Sequence, residues 1–301
     1  MNIFSRGIDV SSWQGNIDFN AVKDGGVDFV IIKAGRGIGR IDENFYTNYT
    51  NAKKAGLDVG AYWYSYATDT DFCRQEAESF VNAVKGCKFE YPLYFDIEEQ
   101  FQIEQGKDFC SSLIQTFCDY LEEHGYFSGF YSYLDMINRA MNDYVKNRYS
   151  CWVAQWNSSC DYKYPYAMWQ HSATGRIDGI QTNVDCDYCY TDFPTLIKKL
   201  QLNGFSSDSN ILKSTEEIAQ EVLAGKWNVG EERRKLLEAA GYNYNLVQDE
   251  VNRLCASHAK NYIVQSSDTI ESILNKFNIS IERFVSLNYK LKAGDTIRIE
   301  E

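Results

Sequence analysis

The sequence predicts an α/β fold: an irregular (β/α) TIM-like barrel, followed by a small three-helix module and a small βααβ module. Three observations lead to this prediction. Over residues 1–202, short apolar or aromatic segments alternate with amphipathic helical ones, which is typical of a parallel β/α barrel. Residues 203–213 are polar and rich in Ser, Asp and Asn, which is typical of a linker. The helical pattern beyond this linker, and a length of 301 residues, favour one large domain with small modules attached.

Eight segments of the first domain have the length and apolar character of strands. They are residues 7–13, 28–34, 58–67, 91–98, 128–134, 149–156, 166–172 and 179–187. Between most of them lie segments with apolar residues at helical spacing, such as 71–85 and 107–124. The last strands follow one another too closely for complete helices between them. We therefore expect the barrel to be incomplete on that side.

The chain after the first linker divides into two modules. The first begins with a capping-box pattern of Ser214 and Glu217, and Gly225 and Gly241 separate three short helices. The second fits the order strand, helix, helix, strand. The predicted ranges are 1–202 for the barrel, 203–213 for the first linker, 214–255 for the three-helix module, 256–260 for a second linker and 261–301 for the last module.

The net charge of the chain limits its partners. A formal charge of −12 disfavours binding to nucleic acid and to anionic membrane surfaces. No segment is long and apolar enough to span a bilayer, so no membrane insertion is expected. The oligomeric state stays open.

Cysteine and histidine spacing gives no support for a metal site or a nucleophilic hydrolase. Cys186 and Cys189 form a CxxC pair, but no second pair or nearby histidine completes a zinc set. The chain has nine cysteines, and we expect them to be mostly reduced and packed. Only three histidines are present, and none is spaced for a Cys–His pair. We expect neither a cofactor nor a metal.

Carboxylates lie at the ends of several predicted strands. Asp96 and Glu98 end an apolar strand, and residues two apart in a strand share a face, about 6.5–7 Å from each other. Active sites of barrels lie at these strand ends, and two acids there suit glycoside hydrolysis, where one is protonated and the other ionised. Taken alone, the pair also fits a helix cap or a solvated turn. Asp9 and Asp185 interrupt apolar runs at comparable places, and a lone Asp there is often a turn former. Four such acids on three strands favour a site.

Aromatic residues make up 15% of the chain. Their faces stack on sugar rings, but they also fill protein cores, so composition alone leaves both interpretations open.

The order of motifs in the first domain resembles glycoside hydrolase family 25, the lysozymes typical of phages and some bacteria. The matching segments are 7–15, 29–34, 60–64, 95–98, 129–132, 152–155, 168–170 and 183–185. The resemblance implies cleavage of the β-1,4 bond between N-acetylmuramic acid and N-acetylglucosamine in peptidoglycan. It also implies that Glu98 is the general acid, that Asp96 positions the substrate's N-acetyl group, and that Asp9 and Asp185 shape the charge of the site. The groove residues that it implies are Tyr62, Lys33, Gln155, Trp169 and Tyr131.

Three positions depart from the usual family pattern. Gly35-Arg36-Gly37 stands where many members have Thr-Glu-Gly. Trp63 stands where a histidine is frequent, and Asp187 where an asparagine is more usual. These differences leave the expected chemistry intact and bear on subsite preference.

The two modules resemble known wall-binding families. Residues 218–254 are similar to cell-wall-binding repeat type 7, and 261–301 to a LysM module, which binds glycans that contain N-acetylglucosamine. For the LysM module, the resemblance implies a ligand near Asp268, Thr269 and Ile270, and near 291–294. The family's usual Gly before Asp-Thr is Ser267 here. The implied partner is bacterial peptidoglycan.

Together, these features predict a peptidoglycan hydrolase of the endolysin type, targeted by two wall-binding modules. The alternatives are a non-catalytic wall-binding protein, or a related glucosaminidase or chitinase-like glycosidase. Residues 1–7 have no apolar signal core, so we expect synthesis in a host bacterial cytoplasm without a signal peptide, and action on the cell wall after release.

Overall fold

A computed structural model describes residues 2–205, 213–263, 268–277 and 296–300. Contacts divide the chain into two compact units, Met1–Ile211 and Leu212–Glu301. No helix in these described ranges is both long enough and apolar enough to cross a membrane.

The first unit is a barrel of eight strands, as predicted. Seven neighbouring strands run parallel, and β1 pairs with both β2 and β9, which closes the sheet. A short strand, β3, extends β2 as an antiparallel hairpin outside the barrel. The strands are β1 (Ser5–Val10), β2 (Phe29–Arg36), β3 (Arg40–Ile41), β4 (Asp58–Tyr64), β5 (Leu93–Asp96), β6 (Ser128–Tyr133), β7 (Ser150–Ala154), β8 (Met168–Gly175) and β9 (Val184–Cys189).

The irregular side of the barrel is where the sequence predicted it. β9 runs antiparallel to both β8 and β1, because the short segment between β8 and β9 allows only a direct reversal. The expected incompleteness therefore concerns the helical layer rather than the sheet. Irregular chain, without a helix, joins β7 to β8 and β8 to β9.

Helices cover the other side of the barrel. They are α1 (Phe19–Asp24), α2 (Phe45–Lys54), α3 (Thr70–Val84), α4 (Gln100–Glu104), α5 (Lys107–Glu123), α6 (Leu134–Ala140), α7 (Asp143–Arg148) and α8 (Phe193–Leu200). The predicted helices 71–85 and 107–124 correspond to α3 and α5. The Asp69 side chain caps α3 by accepting a hydrogen bond from the Phe72 amide at 2.8 Å.

Packing between α5 and β5 fixes the direction of the strand that carries the acids. Phe95 stacks on Phe117 of α5 with ring centroids 4.3 Å apart, and both side chains are fully buried. Burial of each aromatic ring contributes roughly 2–3 kcal/mol. Since successive strand residues point to opposite faces, Phe95 facing the helix turns Asp96 toward the barrel interior.

The barrel extends beyond residue 202, where we had placed the start of the linker. Asn203 is fully buried, and its side chain accepts a hydrogen bond from the Phe127 amide at 2.6 Å and donates to the carbonyl oxygens of Phe89 and Tyr91. Its own carbonyl accepts a further hydrogen bond from the Phe89 amide. Asn203 therefore belongs to the barrel, because its amide satisfies backbone groups that no water reaches.

The second unit contains the three predicted helices, α9 (Thr215–Leu223), α10 (Gly230–Ala239) and α11 (Tyr244–His258). The Ser214–Glu217 capping box is present at the start of α9. Apolar side chains from the three helices form one small core, which contains Ile218, Ala219, Val222, Leu237, Val247, Val251 and Leu254.

The last module follows without the short linker that we had predicted at 256–260. α11 continues to His258 and strand β10 (Ala259–Ile263) begins at the next residue, since no Gly or Pro interrupts the helix. β10 pairs antiparallel with β11 (Thr296–Glu300), and α12 (Ile270–Phe277) is the first helix of the predicted βααβ order. The second predicted helix lies outside the described residues.

Candidate active site

The predicted acids meet in one cavity at the carboxyl ends of the parallel strands. The cavity has a volume of about 240 Å³. It contains seven of the nine site residues that we predicted in the barrel, namely Asp9, Lys33, Tyr62, Asp96, Glu98, Tyr131 and Asp185. The other residues that line it are Trp13, Tyr64, Tyr133, Trp152, Trp156 and Gln170.

Strand direction explains how acids distant in sequence come together. Asp9 lies near the end of β1, Asp96 is the last residue of β5, and Glu98 follows two residues later. Asp185 lies at the start of β9 rather than at its end. Because β9 is antiparallel, its start lies at the same rim, and Asp185 pairs with Asp9 in the sheet register.

Glu98 lies in an environment that keeps its carboxyl group protonated to higher pH than in water. The side chain is half-buried, and burial raises its pKa above the ordinary value. The Tyr133 hydroxyl, the Tyr64 hydroxyl and the charge of Lys33 oppose this shift. The hydrogen bond that the Tyr64 hydroxyl donates goes to Glu99 Oε1 at 2.9 Å. A carboxyl group that holds its proton and still reaches the cavity can act as a general acid.

Asp96 is more deeply buried than Glu98. Burial raises its pKa well above the ordinary value, the negative charge of Glu98 raises it further, and Lys33 lowers it. Its Oδ1 atom is buried and has no hydrogen-bond partner in the described part of the protein. A buried acceptor without a donor is costly, so this atom is suited to an N–H group supplied by a ligand.

Lys33 is the only cation among the described residues that line this cavity. Its ammonium nitrogen lies 4.7 Å from the ring centroid of Tyr64 and 5.7 Å from that of Tyr62. The two aromatic rings hold the charge over the acids, where it favours ionisation of Asp96. In the described ranges, no group of three or more His, Cys, Asp or Glu side chains is arranged to hold a metal ion.

A glutamine orders the opposite wall of the cavity. The Gln170 side-chain oxygen accepts hydrogen bonds from the Tyr131 hydroxyl at 3.0 Å and the Trp156 indole N–H at 3.1 Å. These two donors fix the orientation of the amide, so its nitrogen donates to Asp9 Oδ2 at 2.8 Å. Asp9 is therefore held in place by a residue that the sequence analysis did not select.

Asp187 forms a coupled pair with Asp9. Its Oδ1 atom accepts a 2.8 Å hydrogen bond from the Trp152 indole, its Oδ2 atom finds no donor among the described groups, and the Asp9 carboxyl lies within hydrogen-bonding reach. Burial raises the pKa of both acids well above the ordinary value, and each is also raised by a neighbouring acid. Two carboxyl groups share a hydrogen bond only when one is protonated, so the burial and proximity of these acids favour one proton on the pair.

Two predicted groove residues, Gln155 and Trp169, do not line the cavity. Gln170 points into the barrel, so its strand neighbour Trp169 points to the outer face. The Trp169 indole donates to the Gln155 backbone oxygen at 2.8 Å, and the Gln155 side chain forms two hydrogen bonds with Asp161. These residues hold the segment after β7 rather than the walls of the cavity.

The same two-residue period could have identified two of the missed tyrosines. Tyr64 shares its strand face with the predicted Tyr62, and Tyr133 shares its face with the predicted Tyr131. Trp13, Trp152 and Trp156 carry no local signal that separates a cavity wall from a core.

The predicted ligand residues of the last module lie at the start of α12. Thr269 and Ser272 exchange hydrogen bonds that cap this helix, Ile270 is exposed, and Asp268 is half-buried. The second predicted ligand segment, 291–294, and Ser267 lie outside the described residues.

Comparison of the sequence with models of known families gives three matches. Residues 8–180 match the glycosyl hydrolases family 25, which covers more than half of the chain. Residues 216–255 match the CW_7 repeat, and residues 262–300 match the LysM domain.

Two relatives of this chain are named lysozymes. The autolytic lysozyme of Clostridium acetobutylicum is 35% identical over 183 residues, which cover 60% of this chain and 55% of the relative. Lysozyme M1 of Streptomyces globisporus is 29% identical over 60% of this chain and 66% of its own length. The matches thus span less than two thirds of each relative. Among solved structures, the bacterial lysozyme from Streptomyces coelicolor superposes with a TM-score of 0.56 at 26% identity, over 67% of this chain and 98% of that one.

Proposed function

The chain belongs to glycosyl hydrolases family 25, and from this premise we propose that it hydrolyses the β-1,4 bond between N-acetylmuramic acid and N-acetylglucosamine in peptidoglycan. The single observation that supports this most is the meeting of Glu98, Asp96, Asp9 and Asp185 in one cavity. The family match and the lysozyme relatives agree with a glycosidase that acts on the wall.

In the proposed reaction, Glu98 is the general acid. Its raised pKa keeps the carboxyl group protonated until the glycosidic bond breaks, when the proton moves to the leaving oxygen. The Tyr133 hydroxyl then stabilises the carboxylate that forms, because a hydrogen bond to the charged form favours it.

Asp96 acts on the substrate's acetamido group rather than on its sugar carbon. The N–H of that group donates to the unpartnered Oδ1 of Asp96, which makes the acetamido oxygen a better nucleophile toward the anomeric carbon. Water then opens the cyclic intermediate, and Glu98 takes up the proton from that water. This route supplies the nucleophile from the substrate and needs no second enzymic one.

The CW_7 and LysM modules serve to keep the enzyme on its insoluble substrate. Two weak modules on one chain raise the effective concentration of the catalytic domain at the wall without improving the active site. The assignment to phage endolysins stays a prediction, since the relatives include a bacterial autolytic lysozyme.

Substitution of the acid tests the proposal. We expect Glu98→Gln to lower the turnover of purified peptidoglycan by about 10²–10⁴-fold, because glutamine cannot donate the proton, while the protein still sediments with walls. Glu104→Gln, on the exposed end of α4, is the matched control and keeps wild-type turnover. Equal turnover of Glu98→Gln and wild type would refute the assignment of the acid.

A further inference from the structure

A second cavity of about 510 Å³ adjoins the catalytic one, because Trp13 and Lys33 line both. We call this cavity the hairpin groove, since it lies between the 3₁₀ turn Ser12–Gln14 and the β2–β3 hairpin. Its lining is Ser12, Trp13, Lys33, Gly35, Arg36, Arg40, Ile41, Asp42 and Glu43. The proposed hydrolysis assigns no role to this groove beyond Lys33.

Trp13 is an exposed aromatic residue on a braced turn. Its side chain is 84% exposed. The turn is nevertheless fixed, because Ser11 and Gln14 form a capping box and the Ser12 amide and hydroxyl both donate to Asp42 Oδ2, at 3.3 and 2.9 Å. A large, exposed aromatic ring on a braced turn at the rim of a groove offers a stacking surface for a sugar ring.

Two arginines face each other across the hairpin. Arg36 and Arg40 are direct partners in the register of β2 and β3, and both are exposed. Like charges at directly opposite positions of an antiparallel pair destabilise it. Neither arginine forms an ion pair with an acidic side chain in the described ranges. The hairpin thus places two guanidinium groups side by side without an acidic partner, which is an arrangement suited to binding an anion.

The backbone of this hairpin depends on the unusual residues noted in the sequence. A Cβ atom at Gly35 would lie 2.4 Å from the Arg40 carbonyl oxygen and 2.5 Å from the Trp63 ring. The Trp63 indole also donates to the Gly37 carbonyl oxygen at 2.9 Å. Trp63 therefore leaves no room for a side chain at position 35, and its indole fixes the hairpin that carries both arginines through Gly37.

The acids of the groove do not cancel its positive charge. Asp42 is occupied by Ser12 and by the Asn44 amide, which donates to its other oxygen at 3.0 Å. Asp42 and Glu43 offset two of the three positive charges of Lys33, Arg36 and Arg40, which leaves the lining with a formal charge of +1. The groove is therefore cationic on a chain whose net charge is −12.

We propose that the hairpin groove is an accessory subsite in which Trp13 stacks on a sugar beyond the scissile bond, while Arg36 and Arg40 bind carboxylates of the acidic peptide branch on that glycan. This inference rests on the proposed function. The planar guanidinium fork matches a carboxylate in two parallel hydrogen bonds. A glycan strand that passes from the cavity into the groove brings its peptide branch beside the hairpin. A phosphate-rich wall polymer also offers oxyanions to the two arginines. The experiment below therefore distinguishes peptide carboxylates from polymer phosphates.

Binding to defined glycans tests the proposal. In the full chain with Glu98→Gln, which cannot turn over its ligand, the double variant Arg36→Gln/Arg40→Gln is compared with the parent. The ligands are peptidoglycan oligosaccharides of equal length, with and without peptide branches. We expect the dissociation constant to rise about tenfold or more for the branched ligand and to stay within about twofold for the unbranched one. Arg36→Lys/Arg40→Lys keeps the charge and should recover part of the affinity.

Arg139→Gln is the matched control, because Arg139 is an exposed arginine of α6 outside the groove, paired with Asp135. It should change neither affinity. Equal weakening of both ligands by the groove variant, or weakening of neither, would overturn the subsite. If the groove variant loses affinity only for wall fragments that carry teichoic acid, the arginines bind a phosphate rather than the peptide branch. That result would overturn the assignment. The proposed function is tested separately, by measuring whether the protein that keeps Glu98 cleaves unbranched glycan.

Discussion

At the scale of single residues, the pKa of Glu98 depends on two opposing effects. Burial raises it, while Lys33 and two tyrosine hydroxyls lower it. The group must be protonated to act as the acid, so activity should fall on the alkaline side as Glu98 ionises.

Lys33→Gln tests this balance. Loss of the cation removes an influence that lowers the pKa of Glu98, so the alkaline limb of kcat/KM should move to higher pH, even if the rate at the optimum falls. The profile is measured on peptide-free glycan, beside Lys199→Gln on the exposed surface of α8. An alkaline limb that stays in place, or moves to lower pH, would exclude Glu98 as the group that controls it.

Asp187→Asn tests the shared proton of Asp9 and Asp187. Both acids have a pKa in the folded state above that of the unfolded chain, so their contribution to stability is complete below the unfolded pKa and is lost as the pH rises through the folded one. Asparagine has no proton to lose and can still donate to Asp9. We therefore expect the Tm of the variant to exceed that of wild type by a few degrees at alkaline pH, and the difference to shrink in acid.

Thermal unfolding against pH measures this difference. Asp178→Asn, an exposed loop residue, is the control. Parallel Tm curves for wild type and Asp187→Asn would contradict the shared proton.

The sequence predicted that acids from several strands lie together, because the ends of the apolar strands carry carboxylates. The four acids could be predicted because carboxylates at the ends of apolar strands are unusual. Gln170 could not, because its importance comes from contacts with Tyr131, Trp156 and Asp9 that are distant in sequence.

At the scale of elements, Asn203 connects the end of the barrel domain to two of its inner segments. Its side chain forms hydrogen bonds with the backbone of Phe89 and Tyr91, just before β5, and with that of Phe127, just before β6. Its φ angle of 54° is also one that asparagine tolerates better than most residues.

Two chain lengths test this connection. The protein that ends at Leu202 should be less stable than the protein that ends at Phe205 by roughly 2–4 kcal/mol, because backbone groups of Phe89, Tyr91 and Phe127 lose their partner. Asn203→Ala in the longer form should produce a similar loss, whereas Asn20→Ala on the exposed surface of α1 should not. Denaturant unfolding measures the difference, and equal midpoints for the two lengths would place the domain boundary back at 202.

Secondary structure was predictable in type and order but not at the boundaries. All eight barrel strands were predicted because their apolar runs are bounded by turns. Asn203 was assigned to a linker because a buried asparagine in a polar stretch has no local pattern. The continuation of α11 through 256–258 was missed because the preceding core pattern ends at Leu254.

At the scale of the whole molecule, the protein combines two compact units. If the modules only target the enzyme, the barrel that ends at Phe205 should cleave soluble glycan at the rate of the full chain. Its retention on insoluble walls should fall about tenfold or more, because the second unit no longer contributes. Sedimentation with walls and release of soluble sugar ends measure these two quantities. Equal retention of the two proteins would show that the modules do not target the enzyme.

In the proposed reaction, Glu98 protonates the leaving oxygen and the glycan is cut after N-acetylmuramic acid. The most direct test is to digest purified peptidoglycan, reduce the new sugar ends with borohydride and identify them, for the wild type and Glu98→Gln side by side. We expect reduced N-acetylmuramic acid from the wild type and almost none from the variant. Reduced N-acetylglucosamine would contradict the bond specificity, and the absence of any new end from a wild type that still binds walls would make the barrel a non-catalytic scaffold.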